Sequence, residues 1–493
     1  MTKRFRVHAG HYAWAELAAA AAGLISFPIL TRLLSVADYG TMNLVASVLG
    51  LTIALGKLGL QHAVLRSWAE VAAGRRADVS REGFESTVVL GMAACGLAVT
   101  VVWMLAARLV PQAWWGAAGV GAVMLVAAPL ILVRVLDSAG TNLLRAQEAS
   151  AALAVYNTLR RYVALVAVVA VLWWWRRDLT GFYLTTLAVE LLAVALLLVW
   201  MFLARPAPRP ARVSGPLFVS LAIFGLPMLG SELATVVLTM SDRFIIQTHL
   251  GADALGVYAA AYNLCDQLRN ALLGALVGAA YPRCMHLWET EGEAGLLRFT
   301  QRFLQIYATV SLGLVALMVA AGGDLMAVLA SEKYREGGQV AGWIMASLSV
   351  QTVLTVAAVG LYLARRSALL MGLVLLAGIL NIALNLWWVP RLGIQGAALA
   401  ALVSFGLLGA AQMRLAQRTA ATRVPWRGLI TLAPAAALAV VLAWQWQTPW
   451  AWLTLLARGG SVVLVYGGLV VALDAQLRDS LVQYARRRWR AGR

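Results

Sequence analysis

Apolar residues in this chain run in long blocks, without the strict alternation of strands. Blocks of spanning length fall near 13–31, 41–64, 84–107, 114–136, 151–175, 180–203, 216–241, 254–281, 299–321, 339–363, 367–389, 393–416, 425–445 and 453–473. Each is too long for a strand, and a helix that is apolar on most sides belongs in a large core or in lipid. One crossing needs about 20 mainly apolar residues. The pattern therefore predicts an all-α polytopic membrane protein with about fourteen transmembrane helices. Several of the polar breaks are short turns, such as Arg176-Arg177-Asp178 and Pro390-Arg391-Leu392-Gly393. The only Pro-rich stretch, Arg205-Pro206-Ala207-Pro208-Arg209-Pro210, follows the sixth block and reads as a strap between two six-helix halves. The expected organisation is an N-terminal lobe over 1–203, a cytoplasmic linker over 204–215 and a C-terminal lobe over 216–416. A further helix pair over 417–473 and a basic tail over 474–493 complete it.

Composition sharpens this reading. Hydrophobic residues make up 61% of the 493 and charged residues only 13%. A water-soluble protein could not cover so much apolar side chain with so few charges. The formal net charge is +18, which in a soluble protein would suggest nucleic acid. Here no basic stretch sits on a globular module, and a nucleic-acid partner is not expected. With the N-terminus cytoplasmic and the helices alternating, 29 basic residues fall on the cytoplasmic side and 9 on the far side. That asymmetry follows the positive-inside rule and puts both termini in the cytoplasm. Lys3, Arg4 and Arg6 precede an uncleaved first helix. Tryptophans cluster near predicted helix ends, at Trp114-Trp115, Trp173 to Trp175 and Trp387-Trp388, as an interfacial belt.

Soluble catalytic chemistry is missing from the pattern. There is no phosphate-binding Walker loop. The five histidines and the cysteines Cys95, Cys265 and Cys284 have no metal-ligand spacing. No cofactor, metal site or catalytic residue is expected, and the chain reads as a non-enzyme. The informative residues are ionisable groups in or beside the spans. Each costs on the order of 3 kcal/mol at mid-bilayer, so such groups tend to face the bundle interior and to have a task. Arg32, Lys57, Arg134, Arg243 and Arg269 are candidates for an anionic headgroup, because guanidinium and ammonium groups suit phosphate. Glu16, Glu190, Glu232, Asp242 and Asp266 are candidates for proton or sodium coupling. Lys57 lies about mid-span in 41–64 and needs an acid or a bound anion. Asp266 and Arg269 are i,i+3 and share a helix face, where they can pair. Asp242 and Arg243 are adjacent, so they are expected to point apart and to need separate partners. Structural ion pairs locking helix to helix are the alternative for the pairs, and for Arg32, Arg134 and Arg243, near span ends, snorkelling to headgroups is another.

The halves echo one another. Asp38-Tyr39-Gly40 opens the second block and Leu255-Gly256-Val257-Tyr258 the eighth, and the following arginines stand 26 and 27 residues after the glycines. Three stretches carry a resemblance to a known family. They are Phe27 to Ser35 with Asp38-Tyr39-Gly40; Pro227, Asp242 to Ile246 and Leu255 to Asn263; and Asn381, Asn385, Pro390 and Leu392 to Ala400. In these the chain resembles the bacterial polysaccharide-biosynthesis exporters, the O-antigen and exopolysaccharide repeat-unit flippases. Their superfamily also holds the multidrug extruders and the lipid II flippases. The resemblance implies two pseudo-symmetric six-helix lobes in a V plus a C-terminal helix pair. It implies a polyprenyl-diphosphate-linked oligosaccharide moved from the cytoplasmic to the outer leaflet of the inner membrane, driven by an ion gradient or the membrane potential. Polysaccharide polymerase or assembly proteins would be its partners. Arg32 and Asp242-Arg243 fall on family positions. A multidrug-type antiporter, a lipid II flippase and a non-transporting partner of an assembly complex are the rival readings.

Overall fold

The structure, a computed structural model, describes residues 3–76, 79–109, 119–203, 207–363, 366–417 and 426–473. The expected basic tail at 474–493 and the tryptophans Trp114-Trp115 lie outside the described residues. Among those residues every regular element is helical: α1 (Lys3–Leu33), α2 (Val36–Lys57), α3 (Leu60–Ala72), α4 (Arg81–Leu109), α5 (Val120–Ala127), α6 (Pro129–Ala146), α7 (Ser150–Trp174), α8 (Leu179–Phe202), α9 (Gly215–Leu329), α10 (Gly338–Leu363), α11 (Ser367–Leu392), α12 (Ile394–Gln417), α13 (Trp426–Trp444) and α14 (Ala451–Leu473). Ten helical stretches are long and apolar enough to cross a membrane, with shorter apolar helices at Leu17–Leu33 and Ile430–Trp444.

The 115 residues of α9 would reach roughly 170 Å as one straight rod, several bilayers. The rod is broken where Gly251 and Gly292 adopt left-handed φ of 85° and 65°. The pieces contain the three expected spans at 216–241, 254–281 and 299–321. Two other expected spans are corrected. The block at 41–64 is two helices, because Leu58 and Gly59 turn left-handed (φ 50° and 69°) after Lys57. The block at 114–136 resolves, from Val120 onward, into α5 and α6, and Pro129 occupies the first turn of α6. Helix starts follow capping chemistry. Ser35 Oγ accepts the Asp38 N–H at 3.0 Å, and Asp178 Oδ1 accepts the Gly181 N–H at 2.7 Å.

Contacts group the chain into two compact units, Met1–Ala259 with Val374–Gly393, and Ala260–Leu373 with Ile394–Arg493. In the first unit α1 packs on α7, α4 on α6, and α7 on α8. The end of the Pro-rich linker lies on α4. The backbone N–H of Arg209 donates to Ser86 Oγ at 3.3 Å, that of Ser214 to Thr87 Oγ1 at 3.0 Å, and Arg212 pairs with Glu82.

In the second unit α10 packs on α12, and α13 on α14. The α13–α14 pair joins α9 through small side chains, with Ala316 and Ala320 against Ala435, Ala436, Ala439 and Ala443. Two polar ties reinforce this seam. The Tyr466 hydroxyl donates to the Thr309 carbonyl at 2.8 Å. The buried carboxylate of Asp324 accepts from Arg458 at 2.8 Å and from Arg335 at 3.0 Å. Asp324→Ala leaves Arg458 beside an apolar seam with no counter-charge. The expected result is a lower melting temperature in detergent and faster hydrogen exchange over 451–473 than over α10 and α12.

Candidate functional site

Five cations and five acids are the candidates, with only Asp266 and Arg269 expected to pair by spacing. The structure joins four of each into four pairs. Lys57 Nζ stands 3.9 Å from Glu232 Oε1. Arg134 grips Glu190 with two parallel bonds, Nε and Nη2 each donating at 2.9 Å. Arg243 Nη1 donates to Asp242 Oδ1 at 3.2 Å, and Arg269 Nη2 to Asp266 Oδ1 at 2.6 Å. Pairing is the expected answer to the cost of charge in a bundle interior.

The Lys57 site is built by the break after α2. Lys57 is not mid-helix, as its place in the block 41–64 had suggested, but is the last residue of α2. Leu58 and Gly59 then redirect the chain into α3, which carries Gln61. Gln61 Nε2 donates to Glu232 Oε2 at 2.7 Å, while its own Oε1 is buried without a partner. Glu232 comes from α9, two turns after Gly225. A Cβ on Gly59 would overlap the Gly225 carbonyl, and one on Gly225 would come within 2.6 Å of the Leu58 carbonyl oxygen. This backbone-to-backbone approach holds α9 against the break. The side chains of Lys57 and Glu232 are 23% and 27% exposed, so both remain reachable.

The pair on α6 and α8 is closed. Arg134 and Asp137 share a face of α6, and Asp137 accepts from Arg160 Nη1 at 2.7 Å and from the Tyr156 hydroxyl at 2.6 Å. Glu190, Arg134, Asp137 and Arg160 thus alternate in sign across α8, α6 and α7. Beside them the outer faces of α7 and α8 form an apolar groove of about 520 Å³, walled by Val155, Leu159, Leu192 and Leu196 with Arg160 at its side. Lys57 has no part in that groove.

The expectation that Asp242 and Arg243 point apart is corrected. The Arg243 side chain is long enough to curl back over its own neighbour. Asp242 accepts from both the backbone N–H (2.8 Å) and Nη1 of Arg243. The Tyr258 hydroxyl donates to the other carboxylate oxygen at 2.6 Å. Arg243 is only 3% exposed. Next to this pair, Ser241 Oγ donates to Asn381 Oδ1 at 3.2 Å, and Asn385 Nδ2 donates to the same oxygen at 3.0 Å. Asn381 Nδ2 and Asn385 Oδ1 are buried without partners.

In the second unit the i,i+3 pairing of Asp266 and Arg269 occurs as expected. Arg269 also donates to Thr352 Oγ1 at 2.6 Å, and Asn270 donates to Asp266 at 3.0 Å. Arg32 is exposed in the last turn of α1. Glu16 belongs to α1, but its side chain lies outside the described residues. Sequence reasoning did not single out Gln61, the buried Glu85, which accepts from Gln147 at 2.9 Å, or Asp324. An acid in an apolar context was the available signal for the last two.

Many long apolar helices with charges paired between them define a polytopic helical membrane protein. Solved structures share the fold. The lipid II flippase MurJ in an inward closed conformation superposes with a TM-score of 0.74 at 11% identity, covering 96% of this chain and 99% of its own. An inward-facing multidrug resistance MATE family transporter of the MOP superfamily gives 0.64 at 14% identity, covering 82% and 94%. The chain belongs to the polysaccharide biosynthesis protein family, whose model matches residues 9–288. A curated relative, the succinoglycan biosynthesis transport protein ExoT of Rhizobium meliloti (strain 1021), is 26% identical over 333 residues. That match spans 66% of this chain and 63% of the relative's length.

Proposed function

We propose that this chain is a flippase that carries a polyprenyl-diphosphate-linked oligosaccharide from the cytoplasmic to the outer leaflet of the inner membrane. No covalent bond changes. The two six-helix lobes at 1–203 and 216–416 rock to expose the substrate alternately to either side, with both termini cytoplasmic. The diphosphate binds cationic side chains inside the bundle, the sugars occupy the aqueous space, and the polyprenyl tail stays in lipid. A proton or sodium ion on an interior carboxylate, or the membrane potential, drives the cycle. Polymerase or assembly proteins take up the product.

Within a family of polysaccharide biosynthesis proteins, one observation carries the diphosphate assignment. Lys57 sits at a helix break, mostly buried, with its acid no nearer than 3.9 Å. Its ammonium keeps donors to spare for an anion.

The test is a leaflet assay in proteoliposomes. A short-chain polyprenyl-diphosphate oligosaccharide is loaded on one side, and its accessibility to an impermeant reagent is followed with and without a proton or sodium gradient. Gradient-sensitive translocation is expected, with a loss of at least roughly tenfold in Lys57→Gln, the size of one charged contact. No translocation by folded, inserted protein would favour the drug-type antiporter or a missing partner subunit. Normal transport by Lys57→Gln would remove the diphosphate assignment and leave the fold untouched.

A further inference from the structure

The four ion pairs are not closed to the same degree. In three of them the nearest donor stands at 2.9, 3.2 and 2.6 Å; a second bond closes Arg134 on Glu190, and hydrogen bonds with other residues hold the other two pairs. The fourth, Lys57 with Glu232, stands open at 3.9 Å. Glu232 nevertheless has a short bond, the one from Gln61 at 2.7 Å. The carboxylate is held by a neutral amide and only leans on the ammonium. An amide can position a carboxylate but cannot cancel its charge.

We propose that Glu232 is a built-in counter-ion, which balances Lys57 while the site is empty and is displaced from it by the diphosphate of the substrate, with Gln61 keeping hold of the carboxylate. The proposal rests on Lys57 as the diphosphate site. A cation left alone in a bundle is costly, so the empty state needs an anion beside it. A carboxylate at 3.9 Å supplies that at little cost to release. A diphosphate brings more charge and more acceptor oxygens, so it outcompetes the carboxylate where a monoanion does not. Once displaced, Glu232 carries a charge with no cation beside it. A proton or a sodium ion from the aqueous phase neutralises it, forming the neutral acid or a carboxylate–sodium pair. Anion binding and cation binding then strengthen one another, reciprocally and by the same factor.

The surroundings suit this exchange. Lys57 is the only charged group within ion-pair distance of Glu232 among the described residues. From α3, Gln61 is neutral and His62 is exposed, while the Arg66 guanidinium lies 4.8 Å from the centroid of the Phe224 ring. On α9 the next acid, Asp242, is occupied by Arg243 and Tyr258.

The experiment uses the full chain in lipid nanodiscs with a short-chain polyprenyl diphosphate as probe. Binding is measured calorimetrically in two buffers of unlike ionisation heat, with and without sodium. Glu232→Gln is expected to bind roughly tenfold tighter than wild type, within the usual range for such couplings. It is also expected to lose the cation response. In the wild type, proton uptake on binding identifies the proton as the coupled cation, and sodium dependence identifies sodium. Gln61→Leu is expected to weaken binding, because no amide then holds the carboxylate once it leaves the ammonium. Unchanged or weaker binding in Glu232→Gln overturns the counter-ion role, as does binding to neither protein. Loss of binding in Lys57→Gln with retention in Lys57→Arg keeps the underlying site. Wild-type affinity in Lys57→Gln removes the site itself, and the exchange with it. Glu232→Asp, checked for monodispersity, controls for folding.

Discussion

Asp242→Ala is expected to be among the most destabilising single substitutions in the first unit. Arg243 is buried, and its guanidinium finds Asp242 Oδ1 at 3.2 Å and the Thr239 carbonyl at 2.9 Å. Removing the carboxylate takes the paired acid from a buried arginine and an acceptor from the Tyr258 hydroxyl. Breaking a buried pair from one side costs about 3–5 kcal/mol. The check is thermal unfolding in detergent, where a fall of many degrees or a loss of monodisperse protein is expected. Asp242→Asn keeps the acceptor oxygen and most of the shape, and is expected to cost less. Replacing both partners, as Asp242→Leu with Arg243→Met, is expected to recover much of the loss, since a matched apolar pair leaves no uncompensated charge. The order of these three variants matters for function. If Asp242→Ala abolishes transport only because the protein unfolds, Asp242 is a structural acid. If Asp242→Asn folds as the wild type does and still fails to respond to an ion gradient, the carboxylate has a coupling role.

Arg243 also marks how far the chain could be read without a structure. The helices and their approximate ends were legible, because a bilayer imposes a length of apolar residues on every span. The Asp266–Arg269 pair was legible too, because helical spacing brings i and i+3 together. The same kind of argument failed one residue apart. Adjacent side chains leave a helix in different directions, but an arginine has enough rotatable bonds to double back. The break after Lys57 was hidden for another reason. It begins at Leu58, a poor left-handed residue, and nothing in its type announces φ 50°. Gly59 is one glycine among 43, and it is special only because the Gly225 carbonyl fills the space of its missing side chain. The sequence marks Lys57 as a cation in need of an acid or an anion, and Glu232 as a candidate coupling site. That they are each other's partner is tertiary information, carried by a backbone approach between glycines far apart in the chain. Candidate cations and acids can therefore be drawn from the sequence, while pairing between residues far apart in the chain stays out of reach.

The second large effect is expected at the echoed glycines. A Cβ on Gly40 would overlap the Ala252 carbonyl and stand 2.7 Å from the Gly256 nitrogen. A Cβ on Gly256 would overlap the Val36 carbonyl. Here backbone meets backbone, so no flexible side chain can move aside, and even alanine has no place. Overpacking of a yielding core costs about 1–3 kcal/mol. This contact cannot yield, so the helices must part. The 22 residues of α2 span about 33 Å, close to the hydrocarbon thickness, and α9 approaches α2 near one end at Gly40–Gly256 and beyond the other at Gly59–Gly225. Gly256→Ala is expected to separate the helices at the first contact and Gly225→Ala at the second. The measurement is labelling by an impermeant maleimide of Val36→Cys or Leu58→Cys, with Cys95, Cys265 and Cys284 replaced by alanine. Each glycine substitution is expected to raise labelling at its own contact and to lower transport. Unchanged labelling would mean that the backbones never approach so closely in the membrane. A rise at both positions from either substitution would make the two contacts a single staple along α2, closed and opened together. A rise only at the nearer position would make them independent latches, which is what a protein that must open one side at a time requires.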